Sequence, residues 1–409
     1  MSHAASTSSA PPALPAGLIG LLALLTAIAP LATDMYLPAF PAMSSDLQTT
    51  ASTVQLTLTT FLLGLAIGQL VIGPLSDQWG RRGLLLAGTA LCALAGVACA
   101  LTPSADFLIV ARFLQGFGGA AGVVLSRAVL TDRSSGPTTA KLFSLLMLIG
   151  GVAPVIAPLV GGVLSAGLGW RGVFWVLGAL SGLMLLGIVA AVPETLPPQR
   201  RRAGGLRTLA DDTRSVLRNR AYLGYTLSFA FSMAAMFAYI AASPFVLQNM
   251  LGLSELAYSA AFAVNALGLM IVSGLNAALV TRHGAPRLLA VGVRVLMVLA
   301  ALLLADITLL RLPLWPTLLL FFALVSSLGL IFGNAASLAT SEVRQMAGTG
   351  SAILGALQFS LAAAVSPLVG LAGEHSALPM GVTVLVAASL ALLFHTALLR
   401  AGQARAINA

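Results

Sequence analysis

Apolar runs of about twenty residues, separated by short polar breaks, follow one another from residue 16 to residue 399. Each run is continuously apolar, without the two-residue alternation of a membrane barrel, so the spanning form is the α-helix. About twenty residues rising 1.5 Å each cross the ~30 Å of a bilayer's hydrocarbon. Twelve such spans can be placed, at 16–38, 52–73, 83–101, 106–126, 141–166, 171–192, 220–244, 258–280, 287–308, 314–338, 348–371 and 378–399. Most breaks are so short that consecutive helices must turn back on each other. The longest polar gap, 193–219, holds Pro197, Pro198 and the run Arg200-Arg201-Arg202, and it divides the spans into two sets of six. The pattern predicts an all-α membrane protein with a six-helix bundle over 16–192, a linker over 193–219 and a second six-helix bundle over 220–399. Residues 1–15 are rich in Ser, Ala and Pro and read as a disordered tail; 400–409 read as a second tail. The first span lacks the basic flank of a secretory leader and is read as retained.

Composition agrees with this and adds an orientation. Charged residues make up 8% of the chain, against about 25% in soluble domains, and hydrophobic residues 58%. The net charge of +9 comes from 21 Lys and Arg scattered along 409 residues, with no dense basic domain to engage nucleic acid. Placing both termini in the cytoplasm puts seventeen of the 21 on that side and only Arg171 and Arg311 outside, with Arg112 and Arg294 inside spans. Both cysteines, Cys92 and Cys99, fall in one predicted helix, ~10 Å apart along its axis, too far for a disulfide. They read as packing residues. Arginine in excess over a single lysine, Lys141, fits a GC-rich bacterial genome.

Four constellations carry the chemistry. The first, Gly73-Pro74-Leu75-Ser76-Asp77-Gln78-Trp79-Gly80-Arg81-Arg82, is a charged island between the second and third spans. Its glycines suit a tight turn, Asp77 can take hydrogen bonds from a helix amino terminus, and Arg81 and Arg82 can pair with Asp77 or with an acid on a neighbouring helix. Such a cluster can hold helix bundles together in one state and release them in another. The second is Arg112-Phe113-Leu114-Gln115-Gly116, followed by small residues. An arginine inside a span costs ~2.5–3.5 kcal/mol or more, so it faces a cavity or partner unless it snorkels to the outer surface. The third is Gly150-Gly151-Val152-Ala153-Pro154-Val155-Ile156-Ala157-Pro158-Leu159-Val160-Gly161-Gly162, two prolines four apart that bend a helix, with glycines for close packing. The fourth is Thr33-Asp34-Met35-Tyr36-Leu37-Pro38. Asp34 follows an apolar run with no other charge. An acid beside a membrane cavity is disfavoured as an anion and can exchange a proton there; at the outer interface it would merely end the helix.

The first island resembles the intracellular gating loop, G-x-L-x-D-x-x-G-R-[RK], of the major facilitator superfamily, with Gln78 where a basic residue is commoner. The resemblance implies the major facilitator fold, twelve helices in two six-helix bundles, and alternating access, with Gly73, Asp77, Gly80, Arg81 and Arg82 as the gating set. Arg112 resembles the fourth-helix arginine of R-x-x-Q-G, implicated in proton transfer. Gly151, Pro154, Pro158, Gly161 and Gly162 resemble the fifth-helix antiporter motif of drug exporters, with Ala157 where glycine is usual. Asp-Met-Tyr-Leu-Pro at Asp34, Glu194-Thr195-Leu196-Pro197, Ser243-Pro244-Phe245 and Met346-Ala347-Gly348-Thr349 resemble the Bcr/CflA-type drug-resistance subfamily. That likeness implies a proton-coupled exporter with Asp34 and Arg112 as the coupling pair. Some relatives carry a second acid deeper in the first helix; here Leu24-Leu25-Thr26-Ala27-Ile28 has none.

Candidate cavity residues on several spans are Tyr36, Gln55, Thr59, Met147, Tyr225, Phe229, Ser232, Met236, Tyr239, Asn265, Asn334 and Gln358, since aromatic and methionine side chains give adaptable apolar walls. No nucleotide-binding loop of the G-x-x-x-x-G-K-[ST] kind occurs, so drive comes from the proton gradient and no cofactor or metal is expected. The sequence thus predicts a monomeric inner-membrane antiporter whose partners are protons, lipid and small amphipathic drugs. Export of an endogenous metabolite, uptake by symport and a non-transporting sensor of the same fold are the competing readings.

Overall fold

At Gly80 the chain departs from the sequence expectation. In a computed structural model, which describes residues 15–134, 136–201 and 213–407, the second helix does not stop at Gly73 but runs on to Trp79, and the third starts at Arg81. The ten-residue island is therefore helix throughout, except for one residue. Gly80 has φ 102°, a conformation that favours glycine, and it makes the whole turn. The second half repeats the device: one helix ends at His283, Gly284 has φ 78°, and the next begins at Ala285.

The helices in chain order are α1 (Ala16–Asp34), α2 (Phe40–Asp46), α3 (Ala51–Trp79), α4 (Arg81–Ala100), α5 (Ala105–Arg133), α6 (Gly136–Ala191), α7 (Arg220–Pro244), α8 (Glu255–His283), α9 (Ala285–Ala305), α10 (Leu314–Ser327), α11 (Phe332–Glu342), α12 (Ala347–Val365) and α13 (Leu378–Ile407). The starts of α3, α5, α7 and α8 are capped by Thr50, Ser104, Asn219 and Ser254, each accepting a hydrogen bond from a backbone N–H of the first turn. The first span extends past residue 38, through the turn at Leu37–Ala39 into α2. At the other terminus α13 runs on to Ile407, so its last turns extend beyond the span predicted to end at 399.

Among the described residues eleven helical stretches are long and apolar enough to cross a membrane. One of them, Ile149–Ala191, has 43 residues, or ~65 Å of helix, twice a bilayer's hydrocarbon thickness. It is broken at Gly169 (φ 70°), and the chain reverses there. Arg171 just after the break reaches the carbonyl of Thr102, whereas Val189 and Glu194 lie back beside Arg82 and Arg81 at the Gly80 end. The break thus turns α6 into the fifth and sixth crossings. Residues 1–14, 135, the middle of the linker (202–212) and 408–409 lie outside the described residues, as does the side chain of Met147.

Small residues set the packing. Gly64 of α3 lies against the Phe113 carbonyl of α5, and Gly116 of α5 against the Phe61 carbonyl of α3; a Cβ at either would collide with backbone. Bilayers give no hydrophobic drive between helices, so such close backbone approach supplies the attraction instead. In the second half α7 packs along α13. The halves meet where α3 runs beside α12 and where the first pass of α6 runs beside α8.

Candidate functional site

Arg112 explains the local shape of the site. It is fully buried on α5 and has no carboxylate partner among the described residues. Its Nη2 donates to the Ala32 carbonyl at 3.0 Å, Nε to the Thr57 carbonyl at 3.4 Å, and Nη1 to Gln115 Oε1 at 2.6 Å. The guanidinium is sandwiched between the rings of Tyr36 and Phe61, 4.3 and 4.2 Å from their centroids. A desolvated contact of this kind is worth ~2 kcal/mol or more. The Tyr36 hydroxyl is itself tied down: Thr57 gives its proton to the Val54 carbonyl, so Tyr36 donates to Thr57 at 3.2 Å. Arg112 therefore does not snorkel to a surface. It grips α1 on both sides of Asp34, at Ala32 and at Tyr36, and joins α1 to α3 and α5.

Asp34 ends α1 and is 5% exposed. It makes no ion pair among the described residues, and the hydroxyl of neighbouring Thr33 turns back to the Ala29 and Pro30 carbonyls. Gly161 of α6 lies against the Met35 carbonyl, where a Cβ could not fit, so the bent fifth span fixes the far side of the same turn. Asp34 lines a cavity of about 190 Å³ whose walls come from both halves. Pro30, Leu65 and Pro154 face Met233, Met236, Phe237, Phe262 and Phe359 across it. Opposite Asp34 the Asn265 amide donates to the Tyr239 hydroxyl at 2.7 Å. Asp34 is the one ionisable carboxylate in the wall; the other polar groups are Thr33, Tyr239 and Asn265.

Asp34, Pro154, Met236, Tyr239 and Asn265 thus meet around one cavity, and the remaining candidates stand elsewhere. Tyr36 is covered by Arg112. Gln55 donates to the Ala241 carbonyl at 3.0 Å and bridges the two halves. Thr59 gives its proton to the Gln55 carbonyl. Phe229 packs on Phe332, and Ser232 is bonded back to Ser228 within α7. Asn334 pairs reciprocally with Asn276, amide to amide. Tyr225 and Gln358 are half-buried outside the cavity wall. Pro158 is buried within α6, Gly151 faces open space, and Gly162 lies against Ser259 of α8.

At the Gly80 end Arg81 pairs with Asp77 at 2.7 Å and with Asp132 of α5 at 3.3 Å, and it contacts Ser76. Gly73 sits inside α3, beside Val124. Arg82 donates to the Val189 carbonyl. The amino terminus of α4 is capped not by Asp77 but by Glu194, which accepts the backbone N–H groups of Arg81 and Arg82 at 2.9 and 3.3 Å. Sequence reasoning met Glu194 only as part of a family likeness and missed its capping role, and it missed Asp132 altogether. The signal available was an acid at the membrane edge, directly after the sixth span. Burial pulls the Glu194 carboxyl up, but donation from the N–H groups of Leu196, Arg81, Arg82 and Thr195 outweighs it and holds the group below the usual carboxylate range. A depressed acid stabilises the fold above its unfolded value and loses that contribution as pH falls through its folded value. Glu194→Gln is therefore expected to cost roughly 0.5–1 kcal/mol at neutral pH, lessened by solvent screening, and nothing in acid. Hydrogen exchange of the first turn of α4, followed from neutral to acid pH, checks this; equal protection in both proteins at neutral pH would refute it.

At the opposite end, polar contacts join the halves directly. Gln248 donates to the Pro38 carbonyl at 2.9 Å, Ser366 to the Gln55 carbonyl at 3.4 Å, and Glu374 takes Asn249 at 3.0 Å and Ser44. None of the polar contacts described at the Gly80 end reaches residues 213–407.

The sequence matches the Major Facilitator Superfamily over residues 22–367. It is 40% identical to the uncharacterized MFS-type transporter YdgK of Bacillus subtilis (strain 168), covering 91% of this chain and 93% of that one. It is 32% identical to a bicyclomycin resistance protein homolog of Haemophilus influenzae, over 88% and 90% of the two chains. In fold it is similar to a bacterial homolog of the human lysosomal transporter Spinster, solved in an inward-facing, unoccupied conformation, with a TM-score of 0.72 at 18% identity and coverage of 94% and 96%. Fold, cavity and relatives agree: the chain is a multi-pass membrane transporter, not an enzyme, and it belongs to the Major Facilitator Superfamily, alongside transporters of the drug-resistance type.

Proposed function

We propose that this protein exports small amphipathic drugs in exchange for protons, by alternating access, across a bacterial inner membrane with both termini in the cytoplasm. The observation that carries the reading is Asp34: a buried, ion-unpaired carboxylate, alone of its kind in an apolar and aromatic cavity formed by both halves. Proton and drug compete there. The cavity takes the drug while Asp34 is deprotonated, a charge that the apolar walls do not favour, and protonation of Asp34 from the other side displaces the drug, so that the two cross in opposite directions. Arg112 serves as a positioning group, holding the turn that presents Asp34. The gating set would govern the rocking of the halves. The ties at Gln55, Gln248 and Glu374 seal the outer end, and the ion pairs described around Arg81 lie within the first half, which supports an inward-facing state.

The energetics suffice for resistance. A potential of 100 mV gives ~2.3 kcal/mol per charge, and half a pH unit adds about 0.7 kcal/mol. One proton exchanged for one neutral drug then sustains a gradient of about 10²-fold. The printed name of the Haemophilus relative supports drugs over endogenous metabolites as cargo. The test is accumulation of a panel containing bicyclomycin, chloramphenicol and cationic dyes in cells expressing the protein, with and without an uncoupler. At least one compound is expected to be kept out severalfold, with exclusion lost on uncoupling. Exclusion that survives uncoupling would remove the proton from the mechanism.

A further inference from the structure

Arg294 is exposed on α9, nine residues into a 21-residue membrane helix. It has no carboxylate partner among the described residues. Its stripe is the one that faces lipid: Val291, Val298 and Leu302 are all exposed there. An unpaired guanidinium at that depth costs a few kcal/mol unless an anion answers it.

Two further groups share the place. Arg287, also exposed and without an acid partner among the described residues, lies seven residues earlier on the same helix face, about 10 Å nearer the start of α9. His395 of α13 is 9% exposed, and its buried Nδ1 has no partner. The register of the two antiparallel helices is fixed by the Ser389 hydroxyl on Met297 Sδ at 3.5 Å. Counted from that level at 1.5 Å per residue, Arg294 lies about 4.5 Å, His395 about 9 Å and Arg287 about 15 Å towards the start of α9. The imidazole therefore stands between the two guanidiniums in depth, and it is close enough to feel the Arg294 charge. Helical side chains lean towards the amino terminus, which brings Arg294 down towards both.

We propose that Arg287 and Arg294, with the buried His395 behind them, form a lipid-facing site for the phosphate of an anionic phospholipid in the leaflet on the Gly284 side, the cytoplasmic leaflet in the orientation proposed above. In a bilayer the anion available to such a stripe is a lipid phosphate. A zwitterionic headgroup would bring its own ammonium towards Arg287 and the nearby Arg282, so headgroups with net negative charge are preferred. This goes beyond the transport mechanism and does not depend on it.

The test uses the full-length protein, purified and stripped of lipid. Its unfolding temperature and retained lipid, by native mass spectrometry, are followed while dioleoyl phosphatidylglycerol, dioleoyl phosphatidylcholine or soluble glycerol phosphate is added. Phosphatidylglycerol is expected to stabilise the protein and remain bound, and the other two are not. Arg294→Gln should weaken that binding about fivefold, the share of one basic residue near a charged surface, and Arg287→Gln with Arg294→Gln should weaken it further. Should Arg294→Gln unfold early in phosphatidylcholine, Arg294→Lys keeps the charge and should bind phosphatidylglycerol nearly as well as the native protein. Equal binding of phosphatidylglycerol by Arg294→Gln, equal binding of the two lipids, or full protection by glycerol phosphate would overturn the proposal. So would a lipid-independent dimer that Arg294→Gln abolishes, which would assign the stripe to a second copy.

Discussion

Asp34→Asn is expected to stop proton-driven drug export while leaving the protein inserted, folded and able to bind drug. The substitution is nearly isosteric. It preserves the end of α1, the Thr33 neighbour and the Gly161–Met35 contact, and removes only the capacity to alternate between a charged and a neutral state. In everted vesicles energised with a proton gradient, uphill transport should fall by the ~10²-fold that one coupled proton can sustain. Downhill exchange of labelled drug for unlabelled drug should persist, because that process needs the cavity but not the proton. The two assays together separate loss of coupling from loss of the site. Full uphill export by Asp34→Asn would end the assignment of Asp34 as the coupling group, whereas loss of both activities would make it a binding residue only.

The second large effect falls on Arg112. Arg112→Lys keeps the charge but replaces a planar fork by a single ammonium. One point donor cannot reach the Ala32 and Thr57 carbonyls and Gln115 Oε1 at once, and it loses the sandwich between Tyr36 and Phe61. Unmet buried acceptors cost ~1–3 kcal/mol, and the lost ring contacts add a comparable amount. Thermal unfolding should come several degrees earlier, and transport should drop at least about tenfold, because the turn carrying Asp34 is no longer held. Gln115→Leu removes one partner and keeps the fork, so its effect should be milder in both assays. Arg112→Lys behaving like the native protein in both would show that charge, rather than grip, is what this position supplies.

The twelve-helix organisation was legible because hydropathy reports directly on burial in lipid. Length and polar breaks placed the starts of most spans to within a few residues and some ends to within about eight, and the family match and the helices agree with the two sets of six. The ends were less legible. Gly73 looked like a turn because glycine beside proline usually is one, yet Pro74 sits inside α3 and Gly80 alone reverses the chain. A glycine supplies either a turn or a close contact, and the local sequence does not say which. At the site, residues fixed by one-dimensional pattern were easier to find than residues fixed by what lies across a gap. Asp34 stood out as a lone acid after an apolar run, and Arg112 as a cation inside a span. Gln55 and Asn334 looked equally suited to a cavity wall. Their side chains are instead committed to a carbonyl and to another amide on helices distant in sequence, which no spacing rule reveals. Glu194 was hidden for the same reason, its partners being backbone N–H groups more than a hundred residues away.

Contacts within the first half and ties between the halves rest on different physics. The Gly80 end is held by ion pairs among Asp77, Arg81 and Asp132, whose attraction weakens over a Debye length of about 10 Å at 0.1 M salt. The ties between the halves at the far end run through amides, hydroxyls and backbone carbonyls, with Glu374 the one formal charge among those described. Such bonds act only at contact and are nearly blind to ionic strength. The joint between the halves would then hold alike in brine and in dilute water, while the ion pairs within the first half, Arg81 with Asp77 and Asp132 at one end and Arg171 with Asp46 at the other, would loosen as salt rises.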